Sequence, residues 1–263
     1  MDIFASVKSY LSHPLGRNLD LDSPATTDLR KRIINAKPFL QKIYEKWYGR
    51  ILDVFPEGRR VPMLELGSGA GFLKDYFQGV ITSDLLQIKD VDLYLDGQFL
   101  PFKNGALEGI VMIDVFHHLA DAKSFMLNAS RCVRPGGRLV MIEPWITKWS
   151  RWVYTRLHHE PCRPESQTWE LAAGGPLTQA NLALPWIVFS RDRDIFQQAF
   201  PQWHIQKVQL HTPFCYLLSG GVSLRSLMPG FLFGAWCKIE KLLDPWMHRW
   251  AMFATIVLVR KTD

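Results

Sequence analysis

The stretch Met63-Leu64-Glu65-Leu66-Gly67-Ser68-Gly69-Ala70-Gly71 constrains this chain more than any other. An apolar run with one acidic residue breaks into three glycines at alternate positions, and the periodicity of Leu73 to Phe77 predicts a helix behind it. Strand, tight turn and helix in that order predict the opening of a doubly wound α/β sheet. Glycine suits such a turn because a side chain would keep a ligand off the backbone, and because some turn positions need φ > 0. The spacing is G-x-G-x-G, which differs from the G-x-G-x-x-G of dinucleotide-binding turns. Glu65 lies two residues before the first glycine.

The segments that follow keep to the same plan. Gly79 to Leu85 predicts a second strand ending at Asp84, where nucleoside-binding α/β folds place an acid for ribose hydroxyls. Asp96-Gly97-Gln98-Phe99-Leu100-Pro101-Phe102 comes next. Gly109 to Ile113 predicts a fourth strand running into Asp114-Val115-Phe116-His117-His118, then a helix from about Asp121 to Val133. Arg134-Pro135-Gly136-Gly137-Arg138 predicts a sharp reversal, since proline fixes φ and glycine tolerates φ > 0. Leu139 to Pro144 predicts a fifth strand.

In these residues and this order the chain resembles the class I S-adenosylmethionine-dependent methyltransferases, of the small-molecule, methyltransferase type 11-like kind. Their first motif is an acidic residue, one spacer and G-x-G-x-G. Many also carry an Asp, a small residue, two variable residues and Leu-Pro-Phe, as Asp96 to Phe102 does. The resemblance covers residues 60–144 closely. It implies a Rossmann-like seven-stranded doubly wound α/β sheet with the last strand antiparallel, N-terminal helices and a helical insertion before that strand. It also implies S-adenosyl-L-methionine as cofactor, held by Glu65, Gly67, Ser68, Gly69, Gly71, Asp84, Leu85, Asp96, Gly97 and Asp114, with Asp84 at the ribose and Asp96 near the adenine amino group.

The implied reaction is direct methyl displacement onto a small-molecule or lipid/glycan-linked acceptor, which needs nucleophile, carbon and sulfur nearly in line. A hydroxyl acceptor also needs a base within hydrogen-bond reach. His117, His118 and Glu143 follow strands on the carboxyl edge of the sheet, where open α/β sheets bind ligands, and are the candidate catalytic residues. His158, His159, Glu160 and Cys162 lack the separated second pair of a zinc motif, so no metal is expected; they are expected to line the acceptor pocket. The alternative is a non-catalytic S-adenosylmethionine-binding or interaction protein of the same fold, which the intact glycines and acids disfavour. The glycine spacing argues against a nicotinamide-dependent oxidoreductase. Nucleic acid is not an expected partner: no Asn-Pro-Pro-Tyr-type segment follows the fourth strand, and a basic patch alone does not establish such binding.

Outside this region, residues 2–12 place Ile3, Phe4, Val7, Tyr10 and Leu11 on one helical stripe. A second helix, capped by Ser23 or by Thr26 and Thr27, is expected to run to about Leu52 with a kink at Pro38. Phe39, Ile43, Tyr44, Trp47, Tyr48, Ile51 and Leu52 form its apolar stripe. Its Arg30, Lys31, Arg32, Lys37, Lys42, Lys46 and Arg50 are expected to be solvated, or in part to meet phosphate or anionic headgroups. The division is an N-terminal helical extension over 1–58 and a methyltransferase domain over 59–263. That domain carries a lid or crossover over 145–190 and an apolar insertion over 212–248. A helix over Asp192 to Phe200, a sixth strand over Trp203 to Leu210 and a seventh over Ala251 to Arg260 complete it. The insertion is expected to be an added core element, a pocket wall, or an interfacial anchor.

Composition bounds the setting. The 263 residues carry a net charge of +6, and no stretch reaches the roughly 18–20 apolar residues of a membrane-spanning helix. Met1-Asp2-Ile3-Phe4 has no basic n-region or long apolar core, so no secretory leader is expected. Cys132, Cys162, Cys215 and Cys237 contain no C-x-x-C pair, which fits a reducing, cytoplasmic setting. Ten tryptophans, the basic helix and the insertion extend the expected partners to an anionic membrane surface, with peripheral localisation there. The oligomeric state and the acceptor atom are left open.

Overall fold

Apolar side chains alternate along the strands and divide the molecule into layers. In β4 (Leu107–Ile113) and β5 (Val133–Pro144), Ile110, Met112, Leu139 and Met141 enter one core, while Val111, Val140 and Ile142 enter the other. That period-two split means a sheet covered on both faces. The computed structural model describes residues 22–55, 62–77, 79–175 and 178–262. The expected helix over 2–12, the loop residues Pro14, Gly16 and Asp20, and Pro176 lie outside them.

The sheet has seven strands in the order β3-β2-β1-β4-β5-β7-β6. The first five are β1 (Met63–Leu66), β2 (Val80–Asp84), β3 (Leu93–Tyr94), β4 and β5, and they pair in parallel. β7 (Phe253–Arg260) runs antiparallel between β5 and β6 (Trp203–His211). Strand order reverses between β1 and β4, so a crevice opens at their carboxyl ends, the place where such sheets bind ligands.

Pro38 breaks the expected long helix outright. Helix α1 (Pro24–Asn35) is capped by Ser23, whose hydroxyl accepts from the Ala25 amide at 3.3 Å. Lys37 is extended at φ −119°, ψ 87°, because the residue before a proline is barred from the helical region, and Pro38 then opens α2 (Pro38–Leu52). Phe39, Ile43, Trp47, Tyr48 and Ile51 of α2 share a core with Val111, Val140 and Val257 of the sheet. The helix after the glycine turn, α3 (Leu73–Tyr76), is a single turn.

The Pro-Gly-Gly reversal is folded into β5. Leu107 pairs with Val133, and Gly109 pairs with Arg138, so the intervening residues bulge from the strand, with Gly136 at φ 76°. Helix α4 (Ala122–Cys132) starts at Asp121, which accepts from the amides of Lys123 and Ser124 at 2.8 and 3.1 Å. It packs on the face opposite α2, with Phe189 and Phe196 of the 184–199 segment.

The basic residues of α1 and α2 are solvated only in part: Arg32 and Lys42 are exposed, while others turn inward. Lys37 is buried and donates to the carbonyls of Gly221, at 2.7 Å, and of Leu224. Lys42 donates to Gly230 O at 3.2 Å, and Lys46 stands 3.4 Å from Cys237 Sγ. Phe39 meets Phe233 edge-on and Trp47 stacks on Tyr216. Through these contacts the 212–248 segment, with helices over Cys215–Ser219 and Phe233–Leu242, is clamped to α2. It is both added core and pocket wall. Among the described residues no helix is long and apolar enough to cross a membrane.

Candidate active site

At the end of β1 the chain turns through Gly67, Ser68 and Gly69 and is tied to β2. Ser68 N donates to Ser83 O at 2.7 Å and Gly69 N to Asp84 Oδ2 at 2.9 Å. From α2, the Tyr48 hydroxyl accepts from Phe72 N at 2.9 Å. A Cβ on Gly71 would lie 2.8 Å from both Ser68 O and Tyr48 Oη, so packing alone demands glycine there. Gly69 differs: at φ +48° a Cβ would find only ordinary contacts beyond 3.6 Å, and a longer side chain would project into the space beyond.

That space is a cavity of about 350 Å³. All ten residues expected at the cofactor line it: Glu65, Gly67, Ser68, Gly69, Gly71, Asp84, Leu85, Asp96, Gly97 and Asp114. Thr27 and Arg30 of α1 and Tyr44 and Tyr48 of α2 complete the wall. Sequence reasoning missed these four as site residues, because Tyr44 and Tyr48 at i, i+4 look like any apolar stripe until the helix is docked.

The polar groups fit S-adenosylmethionine. Glu65 is buried, its Oε2 has no hydrogen-bond partner, and burial pushes its pKa up to about 7, a site for a cationic ammonium. Asp84 accepts from Gly69 N and, through Oδ1, from Leu86 N at 2.9 Å, which leaves acceptor capacity for hydroxyls; burial raises its pKa. Asp96 is oriented by Gln98, whose amide N–H it accepts at 2.9 Å.

A second cavity of about 150 Å³ adjoins the first. Arg30, Asp114, His118, Tyr216 and Val222 line both. Its far walls are apolar, with Val153, Leu157, Leu182, Met252 and Phe253, and its polar wall is His158, His159 and Glu160. Cys162 is not part of the wall; it packs against both cores. Asp114 sits at φ 61°, an uncommon conformation for a non-glycine residue and one that clusters at functional sites. Its side chain is about 37% accessible, toward the cavities, yet the surrounding protein desolvates it and raises its pKa to about 7.

The three candidate catalytic residues separate. Glu143 is fully buried: Oε1 accepts from Val115 N and Phe116 N at 2.8 and 2.7 Å, and Oε2 lies 2.8 Å from His117 Nδ1. His117 is also fully buried, and neither lines a cavity. Burial opposes charge on His117, but hydrogen bonds to Glu143 and Glu160 prevail and hold its pKa well above the usual value. Both stand behind the cavity walls, in the chain of contacts Glu143–His117–Glu160. His118 alone reaches both cavities. Its Nδ1 donates to Gln179 O at 2.9 Å, and burial with the nearby His117 lowers its pKa to about 3.

Comparisons with known proteins bear on the fold and on residues 64–141. A family model described as a methyltransferase domain matches residues 64–141. A search of curated proteins gives no match. Among solved structures, the chain is similar to geranyl diphosphate C-methyltransferase from Streptomyces coelicolor A3(2) in complex with Mg2+, geranyl-S-thiolodiphosphate and S-adenosyl-L-homocysteine. There the TM-score is 0.51 and identity 11%, covering 99% of this chain and 98% of that one. The complex of that enzyme with geranyl diphosphate gives a TM-score of 0.50 and 12% identity, over 89% of this chain and 84% of that one. An S-adenosylmethionine dependent methyltransferase from Mesorhizobium loti gives a TM-score of 0.47 and 12% identity, over 81% and 96%. At these identities the structural likeness is one of fold. Residues 64–141 thus match a methyltransferase domain, and they sit in a seven-stranded sheet of doubly wound order.

Proposed function

We propose that the chain transfers the methyl group of S-adenosylmethionine to a small-molecule acceptor whose reacting end occupies the 150 Å³ cavity. The observation that carries this is the junction of the two cavities at Arg30, Asp114, His118 and Tyr216. When bound, the cofactor supplies an electrophilic methyl carbon on a sulfonium. The chain's own part is to hold the acceptor atom in line and to exclude water, which the crossover and the 212–248 segment do by closing over the junction. Asp114, at the junction, takes the proton there, and His118 lines the wall beside it. His117 and Glu143 orient them from behind.

The second cavity is small beside the roughly 300–1,000 Å³ of pockets that enclose a whole ligand. With its apolar far wall, it favours a compact apolar acceptor, or the end of a longer lipid-linked one whose tail runs outside. The test is an acceptor screen followed by release of S-adenosylhomocysteine. Asp114→Asn is expected to lower kcat about 10²- to 10⁴-fold with little change in acceptor KM. An unchanged kcat would remove Asp114 from the reaction.

One observation favours a peripheral membrane reading as well. Phe231 is 81% exposed and Leu242 74%, with Trp246 also exposed on the insertion. Exposed apolar side chains of this kind suit a lipid–water interface. Co-sedimentation with anionic vesicles at low salt is expected, and loss of it in Phe231→Asp; wild-type protein left in the supernatant would end this reading.

A further inference from the structure

Four imidazoles surround one carboxylate at the inner wall of the second cavity. Glu160 Oε2 lies 3.3 Å from His117 Nε2 and 3.8 Å from His158 Nδ1, while Oε1 lies 3.7 Å from His118 Nε2 and 3.4 Å from His159 Nε2. The tautomers make this more than a crowd. His118 Nδ1 faces a carbonyl oxygen, so it must carry a hydrogen, and in the neutral ring Nε2 is a bare lone pair. His117 Nδ1 faces the Glu143 carboxylate and likewise carries a hydrogen. Its Nε2 is fully buried and makes no well-aligned hydrogen bond, its neighbour being Glu160 Oε2 at 3.3 Å. The bare His118 Nε2 therefore faces an anionic carboxylate at 3.7 Å, which is repulsive, while His117 and Glu160 are met only by a proton between them; a divalent cation in that proton's place would satisfy all three. Glu143, Glu160 and Asp114 gather around these imidazoles, acidic surroundings that favour a cation.

We propose that His117 Nε2, His118 Nε2 and the Glu160 carboxylate hold one divalent first-row transition-metal ion, with its open position facing the acceptor cavity. The three donor atoms lie within 4.8 Å of one another. Tetrahedral bonds of about 2.0–2.2 Å place neighbouring donors roughly 3.3–3.5 Å apart, close to the 3.3 and 3.7 Å found, so small movements complete the site. Imidazole and carboxylate donors select a zinc-, iron- or cobalt-like ion over magnesium, which prefers an all-oxygen shell. Glu143 supplies the outer contact typical of a ligating histidine: it fixes the His117 tautomer and makes Nε2 a better donor. His159 Nε2 stands on the same carboxylate as a further donor. The ion would give the acceptor cavity a Lewis-acidic wall, suited to an acceptor that presents an oxygen anion. That role rests on the methyl-transfer reading; the existence of the site does not.

Protein dialysed against a chelator and titrated with Co2+ tests the site directly, by the visible absorption of bound cobalt. Saturation at one Co2+ per chain is expected, with displacement by equimolar Zn2+ and none by millimolar Mg2+. His118→Ala and Glu160→Ala should abolish saturable binding, and Glu143→Gln should weaken it about 10- to 100-fold. Thermal unfolding checks that each variant is folded, and the wild-type titration needs no variant. No saturable Co2+ binding by the wild type, displacement by Mg2+, or unchanged binding by folded Glu160→Ala would each overturn the site. Calorimetry with S-adenosylhomocysteine on the same samples keeps the two questions apart. Cofactor binding without cobalt binding removes the metal alone, and the reverse removes the methyl-transfer reading alone.

Discussion

Glu65 behaves opposite to a typical paired carboxylate, because its burial is not offset by enough hydrogen bonds. Burial pushes its pKa up to about 7 from the usual 4.5. Between those values the native state keeps a proton that the unfolded chain has lost, so stability falls as pH rises through that window and levels off above it. The effect is at most about 3 kcal/mol. Urea unfolding between pH 5 and 8 is expected to lose less stability with rising pH in Glu65→Gln than in the wild type, the other buried groups titrating alike in both. Equal slopes in the two proteins would contradict it. An ammonium at Oε2 reverses the preference, so S-adenosylmethionine is expected to bind more tightly at pH 8 than at pH 6. At Gly69, the expected outcome for Gly69→Arg is loss of cofactor binding in calorimetry, through a side chain forced into the cavity at a strained φ. Glu65, Asp84 and Asp96 could be read from sequence because motif spacing fixes them relative to one strand end. Glu160 could not be paired with His117 and His118, since more than 40 residues separate them.

At the level of elements, a lysine side chain holds the insertion against α2. Lys37 serves the carbonyls of Gly221 and Leu224, and burial lowers its pKa to about 8. Lys37→Met removes the donor and leaves both carbonyls short of a partner. The expected cost is about 1–3 kcal/mol in urea unfolding, with protease sensitivity increased within 212–248. A change below about 0.5 kcal/mol would show that aromatic packing alone, through Phe39–Phe233 and Trp47–Tyr216, seats the segment. The break at Pro38 is what presents Lys37 to the insertion. A continuous helix would have kept it in the 3.6-residue pattern, which is why charge periodicity read as a solvated face.

Taken as a whole molecule, the chain should respond to its cofactor by mass action. At a hundredfold excess over Kd, S-adenosylhomocysteine adds about 2.7 kcal/mol to stability. For a chain of this size that raises Tm by roughly 5–10 °C. NAD is expected to leave Tm unchanged, since the G-x-G-x-G turn and Glu65 are arranged for a different ligand. By itself the sequence determined the strand, turn and helix order of a doubly wound sheet, from local signals: period-two apolar runs, glycine turns and acids at strand ends. Its antiparallel end and cofactor edge came with the family resemblance that those signals carry. Tertiary structure alone decided which lysines are solvated, which histidine reaches the cavity, and that His117, His118 and Glu160 converge. These depend on how distant segments dock, and docking depends on complementary surfaces and buried charge that no local spacing encodes.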